Sequence, residues 1–222
     1  ARCVWAAGAT LGEGTCWSPR ERALYWVDIL EQRLHRHTPA SGEQRSWALP
    51  DTISAVAERT RGPGLAITLR RGFAFFDPAD GTLQRLDEPE PDRPGNRFND
   101  GKCDPAGRFL AGTMDNAERE ASGSLYSLSP DGTLKTLLMG VHISNGLAWS
   151  PDHATLYYID TPTRAVMAYQ YDLATGNISQ PRKAVHVPEE LGWPDGMTSD
   201  MEGNLWIAMW GGARLTKWDP AS

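Results

Sequence analysis

The chain has 222 residues, of which 40% are hydrophobic and 23% charged, and its formal net charge is −6. That is the composition of an ordinary globular protein, with enough chain for one large β domain and a sizeable core. No Lys/Arg cluster stands out and no apolar run approaches the ~18 residues of a membrane span, so neither nucleic acid nor a membrane is an expected partner. Cys3, Cys16 and Cys103 are an odd count with no close pair. They argue against a disulfide framework and fit a reducing compartment. The N-terminal Ala1-Arg2-Cys3-Val4-Trp5 shows no signal-peptide pattern, so a cytoplasmic location is expected.

In chain order the sequence reads as short strands between turns, with no convincing amphipathic helix. Runs rich in Trp, Tyr, Val, Ile and Leu fall at Ala23–Ile29, Gly64–Leu69, Phe109–Thr113, Thr155–Asp160 and Asn204–Met209. Gly, Pro, Asp and Asn clusters separate them. One pattern repeats: a strand, a turn such as Ser18-Pro19 or Ser150-Pro151-Asp152, then a strand such as Leu24–Asp28 or Leu156–Asp160. A third and a fourth strand follow, with a D-x-x-x-G-like turn at Asp77–Gly81 and Asp172–Gly176. Five units begin near residues 13, 53, 99, 145 and 195. The spacing of roughly 40–50 residues is that of four-stranded propeller blades. The last residues, Trp218–Ser222, repeat the closing turn without its Gly. A six-bladed propeller lacking its final blade is therefore expected over residues 1–222, as a single domain and, by default, a monomer.

Four polar residues are in phase with this repeat: Glu13, Asn99, Asn145 and Asp195. Each stands four residues ahead of a residue expected to open a strand, respectively Trp17, Cys103, Trp149 and Ser199. Asn145-Gly146 or Asp195-Gly196 alone would be an ordinary tight turn. In the second unit the corresponding place holds Ile53-Ser54, so the position is not uniformly polar, and that unevenness is what a site would show. Equivalent positions in propeller blades meet around one axis. Carboxylate and amide oxygens converging there are hard ligands suited to Ca²⁺, Mg²⁺ or Mn²⁺, with Zn²⁺ or Fe²⁺ possible. His35 and His37, two apart, read as a solvated outer strand, and His142 as a loop residue.

Four motifs occur in order: Leu11-Gly12-Glu13-Gly14, Asn96-Arg97-Phe98-Asn99-Asp100-Gly101-Lys102, Ile143-Ser144-Asn145-Gly146-Leu147-Ala148-Trp149-Ser150 and Pro194-Asp195-Gly196-Met197. Together they resemble the senescence marker protein (regucalcin), gluconolactonase and luciferin-regenerating enzyme family, from about residue 8 to the end. The resemblance implies a six-bladed propeller with one divalent metal ion and hydrolysis of a small-molecule sugar lactone. It places Glu13, Asn145 and Asp195 on the metal, and Arg97 and Asn99 on the substrate. It also expects a substrate-contacting Glu in the segment Met114–Glu118, where Ala117 stands at the corresponding position and Glu118, next to it, is assigned to the substrate.

Lactone hydrolysis is acyl transfer to water, and Asp195 is the candidate general base. Three other readings remain open at this level. A propeller glycosidase would use Glu13 and Asp195 as its carboxylate pair. A non-catalytic calcium-binding regulatory propeller would bind metal without turnover. A related propeller would hydrolyse aryl esters or phosphotriesters.

Overall fold

The computed structural model describes residues 2–60 and 62–221. Five antiparallel sheets follow one another along the chain. The first is β1 (Gly12–Ser18), β2 (Ala23–Asp28), β3 (Arg33–Thr38) and β4 (Glu43–Ala48). The second is β5 (Ile53–Glu58), β6 (Leu65–Leu69), β7 (Phe73–Phe76) and β8 (Leu83–Arg85). The third is β9 (Asn96–Cys103), β10 (Phe109–Asp115), β11 (Gly123–Leu128) and β12 (Leu134–Val141). The fourth is β13 (Ser144–Trp149), β14 (Thr155–Asp160), β15 (Ala165–Asp172) and β16 (Asn177–His186). The fifth has three strands, β17 (Trp193–Ser199), β18 (Leu205–Trp210) and β19 (Arg214–Trp218). Strand order equals chain order in every sheet, the meander of a propeller blade. The fold is all-β with five blades, and the blade starts agree with the repeat. Among the described residues the only helical elements are two 3-10 turns, Thr161–Thr163 and Glu189–Leu191. No helix there is long and apolar enough to cross a membrane.

Contacts divide the chain into two compact units, Ala1–Asp92 with the first two blades and Arg93–Ser222 with the other three. In the first unit Tyr25, Val27, Leu34, Ile53, Ile67 and Phe76 share one core. In the second unit the fourth blade is sandwiched. Leu156 and Tyr158 of β14 pack with Leu110 and Leu125 of the third blade, while Tyr157 and Ile159 pack with Leu205 and Ile207 of the fifth. Successive side chains of a strand point to opposite faces, and both faces here are covered. That is why β14 reads as a continuous apolar run rather than an alternating one. Each such side chain, fully buried, contributes about 1.5–3 kcal/mol. The predicted loop turns also form: Gly81 N–H donates to Asp77 O at 2.8 Å and Gly176 N–H to Asp172 O at 2.7 Å.

Two expectations are corrected. His35 is not on a solvated strand: it is 5% exposed. Its ring stacks on Trp26 with centroids 4.0 Å apart, and its Nδ1 lies 2.7 Å from Ser46 Oγ. The third strand of this blade is roofed by the N-terminal segment, whose Trp5 ring meets His35 edge-on at 5.2 Å. Alternation along β3 could not show that cover. The second correction concerns strand direction at the in-phase positions. Trp17, Cys103, Trp149 and Ser199 lie at the ends of their inner strands, not at the beginnings. Glu13, Asn99, Asn145 and Asp195 are therefore within strands.

The reason is a β-bulge in the first strand of every blade. One extra residue is accommodated at Gly14-Thr15 opposite Trp26, at Ser54, at Asn99-Asp100 opposite Gly112, at Gly146, and at Asp195-Gly196 opposite Ala208. A bulge interrupts the ladder without ending it and re-aims the side chains beside it. Turn-forming residues thus sit inside paired strands. In the first bulge Gly14 adopts φ 60°, a left-handed conformation that glycine takes without cost.

Candidate functional site

Strands β9, β13 and β17, the first strands of the three blades in the second unit, carry Arg97, Asn99, Asn145 and Asp195. β13 packs against both β9 and β17. Gly146 makes the second approach possible: a Cβ there would lie 2.6 Å from Ile159 Cδ1, 2.7 Å from Asp195 O and 2.8 Å from Met197 Cβ. Any side chain at position 146 would push the Asp195 strand away.

A line of hydrogen bonds crosses the three strands. Arg97 Nη1 donates to Asn99 Oδ1 at 2.7 Å. Asn99 Nδ2 donates to Ser144 O at 2.8 Å and to Asn145 Oδ1 at 3.2 Å. Asn145 Nδ2 donates to Thr161 Oγ1 at 2.8 Å, and the Thr161 hydroxyl donates to Pro194 O at 2.8 Å. Asn145 is thereby oriented by partners on both sides. Its amide nitrogen is turned away to Thr161, and its oxygen faces Asn99.

Two carboxylates stand beside this line. Burial, and then repulsion from Asp100, pushes the Asp195 carboxyl up to about 6. Burial likewise raises the Asp100 carboxyl, opposed by the Lys102 ammonium and the Gly101 N–H. Lys102 Nζ itself donates to Met197 O at 2.6 Å, spanning from β9 to β17.

The segment after β10 is shaped by Asp115. Its carboxylate accepts the N–H groups of Ala117 at 3.1 Å, Arg119 at 3.0 Å and Glu120 at 3.3 Å. Those bonds hold the Asp115 carboxyl below its ordinary value. Glu118, on this turn, is exposed and takes φ 56°. Asn116, two residues before Glu118, accepts from Arg97 Nε through its Oδ1 at 3.0 Å.

The structure thus brings Arg97, Asn99 and Asn145 into one hydrogen-bonded line and sets Asp195 on the adjacent strand. Glu13 is half-buried on β1 of the first unit, at the bulge, paired with Val27. Sequence reasoning missed Asp100, Lys102, Asn116 and Thr161. Asp100 had a signal, since it follows Asn99 directly. Thr161 and Lys102 had none, because their partners lie 33 and 95 residues away. Among the described residues, no three or more His, Cys, Asp or Glu side chains group closely enough to hold a metal ion. A cation site here would need donors besides these side-chain types.

Comparison with known proteins agrees with these features. Residues 11–222 match the model of the SMP-30/gluconolactonase/LRE-like region. The chain is 38% identical over 212 residues to a Bacillus subtilis protein provisionally named a sugar lactone lactonase, covering 96% of this chain and 72% of that one. A luciferin-regenerating enzyme superposes with a TM-score of 0.91 at 34% identity, covering 96% of this chain and 74% of the other. Regucalcin from Agrobacterium tumefaciens, described as a calcium-binding protein, superposes with a TM-score of 0.90 at 33% identity, covering 95% of this chain and 71% of the other. The expected propeller fold and the expected kinship are both borne out: this chain belongs to the SMP-30/gluconolactonase/LRE-like family.

Proposed function

We propose that this protein hydrolyses sugar lactones, aldonolactones such as gluconolactone, to the corresponding aldonic acids. Within the second unit, Asn145 and Asp195 would be donors to one divalent cation. Membership of a gluconolactonase-like family supports lactone hydrolysis in general. The observation that carries the site assignment is the line Arg97–Asn99–Asn145 beside a carboxylate whose proton affinity is raised.

The donor chemistry fits a hard cation. The Asn145 oxygen is held on the Asn99 side, and Asp195 and Asp100 repel one another in a partly buried setting that a cation would relieve. Such an ion supplies Lewis-acid polarisation of the lactone carbonyl. Arg97 and Asn99 hydrogen-bond the sugar hydroxyls and fix the ring. Asp195 accepts a proton from the attacking water, whose oxygen bonds to the carbonyl carbon. The ring C–O bond then breaks, and the ring oxygen takes up a proton to become the new hydroxyl. A carboxylate that also binds the cation is a weaker base than the free group, so the two roles of Asp195 compete.

The test is a pH-indicator assay over a panel of aldonolactones, run on cation-free protein and after adding back Ca²⁺, Mg²⁺, Mn²⁺, Zn²⁺ or Fe²⁺. Turnover should require one of these ions. Asp195→Ala should lower kcat by about 10²–10⁴; undiminished lactonase activity in that variant would sink the assignment. Cation binding with no aldonolactone turned over would favour a calcium-binding role like that in the description of the Agrobacterium relative.

A further inference from the structure

The bulge that carries Asp195 is gripped at both ends from other blades. Its register break lies between Pro194 and Met197. These two residues are the ones whose carbonyl oxygens accept side-chain hydrogen bonds from outside the blade. Thr161 Oγ1, from the fourth blade, donates to Pro194 O at 2.8 Å, and Lys102 Nζ, from the third, donates to Met197 O at 2.6 Å. A bulge leaves backbone groups out of the ladder. The two paired residues that flank it are here tied to side chains.

We propose that Thr161 and Lys102 are positioning residues that clamp the β17 bulge and so fix Asp195 relative to Asn145. The inference rests on the lactonase reading above. Thr161 acts twice. Its hydroxyl has one proton to donate and lone pairs to accept. The proton goes to Pro194 O, which obliges it to accept from Asn145 Nδ2. The Asn145 amide is therefore locked with its nitrogen on Thr161 and its oxygen, the only atom of the amide able to bind a cation, on the Asn99 side. The same hydroxyl ties that amide to the peptide preceding Asp195. Thr161 is 8% exposed and Asn145 is 7% exposed, so water is a poor substitute for either bond. At the other end, the Lys102 ammonium restrains Met197 and adds a positive charge near Asp100.

Thr161→Val keeps the shape and removes both hydrogen bonds, while Thr161→Ser keeps the hydroxyl. Calorimetric titration with Ca²⁺ should show a Kd raised about 10–100-fold in Thr161→Val, the usual effect of losing an outer hydrogen bond to a ligand. Thr161→Ser should remain within about threefold of wild type by the same reasoning. A purely structural role for Thr161 would lower the melting temperature of cation-free protein and leave the Ca²⁺ Kd of the folded fraction unchanged. Lys102→Met should lower kcat about tenfold at constant KM without weakening Ca²⁺ binding, because it frees the bulge yet removes a competing positive charge. A wild-type Kd in Thr161→Val, failure of Thr161→Ser to restore it, or an unchanged kcat in Lys102→Met would overturn the clamp. A wild-type protein that neither binds Ca²⁺ nor turns over any aldonolactone would instead overturn the functional reading, and that outcome is visible before any variant is made.

Discussion

The first strands of the second and fourth blades carry the same backbone device and use it differently. In β5 the extra residue is Ser54, whose Oγ lies 2.9 Å from Thr68 Oγ1, and Thr68 Oγ1 also accepts the Ala55 N–H at 3.0 Å. Both side chains are buried, and the polar groups are satisfied within the blade. In β13 the extra residue is Gly146, and the polar side chain beside it, Asn145, bonds to Thr161 and Asn99. Asn99 lies in another blade, and Thr161 passes the connection on to Pro194 in a third. A bulge alone is therefore a packing solution. It becomes part of the candidate site where its side chains are satisfied by neighbours rather than by their own hairpin.

Three experiments break or sharpen this contrast. The largest effect is expected from Gly146→Ala. The added methyl would meet Asp195 O and Met197 Cβ at under 3 Å, so the variant should lose about 1–3 kcal/mol of stability. Chemical denaturation and a Ca²⁺ titration of the folded protein should both report it. If stability and affinity stay at wild-type values, the close approach of β13 and β17 is not needed.

The next effect is a pH dependence confined to the site. Asp195 must be ionised to bind a cation, and its carboxyl is raised to about 6 from an ordinary 3.8. Cation affinity should be constant above about pH 6 and fall roughly tenfold per unit below it, the sign required when a proton competes for a ligand. Calorimetry between pH 4.5 and 8 (about that range suffices) checks this, and affinity that strengthens on acidification would contradict it.

The smallest effect is expected from Ser54→Ala. Removing one buried hydroxyl–hydroxyl bond should cost about 1 kcal/mol in stability and leave Ca²⁺ affinity unchanged. A change in affinity would show that the second-blade bulge also serves the site.

The residue pattern carried much of this. Five blade starts, the turns between outer strands and the in-phase polar positions were all legible, because each depends on contacts within one hairpin. The same local logic misplaced the inner strands. Asn-Gly and Asp-Gly resemble turns when read alone, and only the sheet shows that they are bulges inside continuous ladders. His35 was misread for a similar reason: its cover, Trp5, comes from outside the hairpin.

What the sequence by itself determined is the repeat, and with it the set of side chains available at one place in each blade. The tertiary structure decided which atom of Asn145 faces Asn99, how Asn116 comes to meet Arg97, and how Asp195 comes to hold its proton more tightly. Those outcomes depend on partners remote in the chain, such as Asn99 with Ser144 at 45 residues and Lys102 with Met197 at 95. Periodicity records which face of a strand is buried. It does not record which donor lies across the neighbouring blade, and that choice sets the orientation and charge of the site.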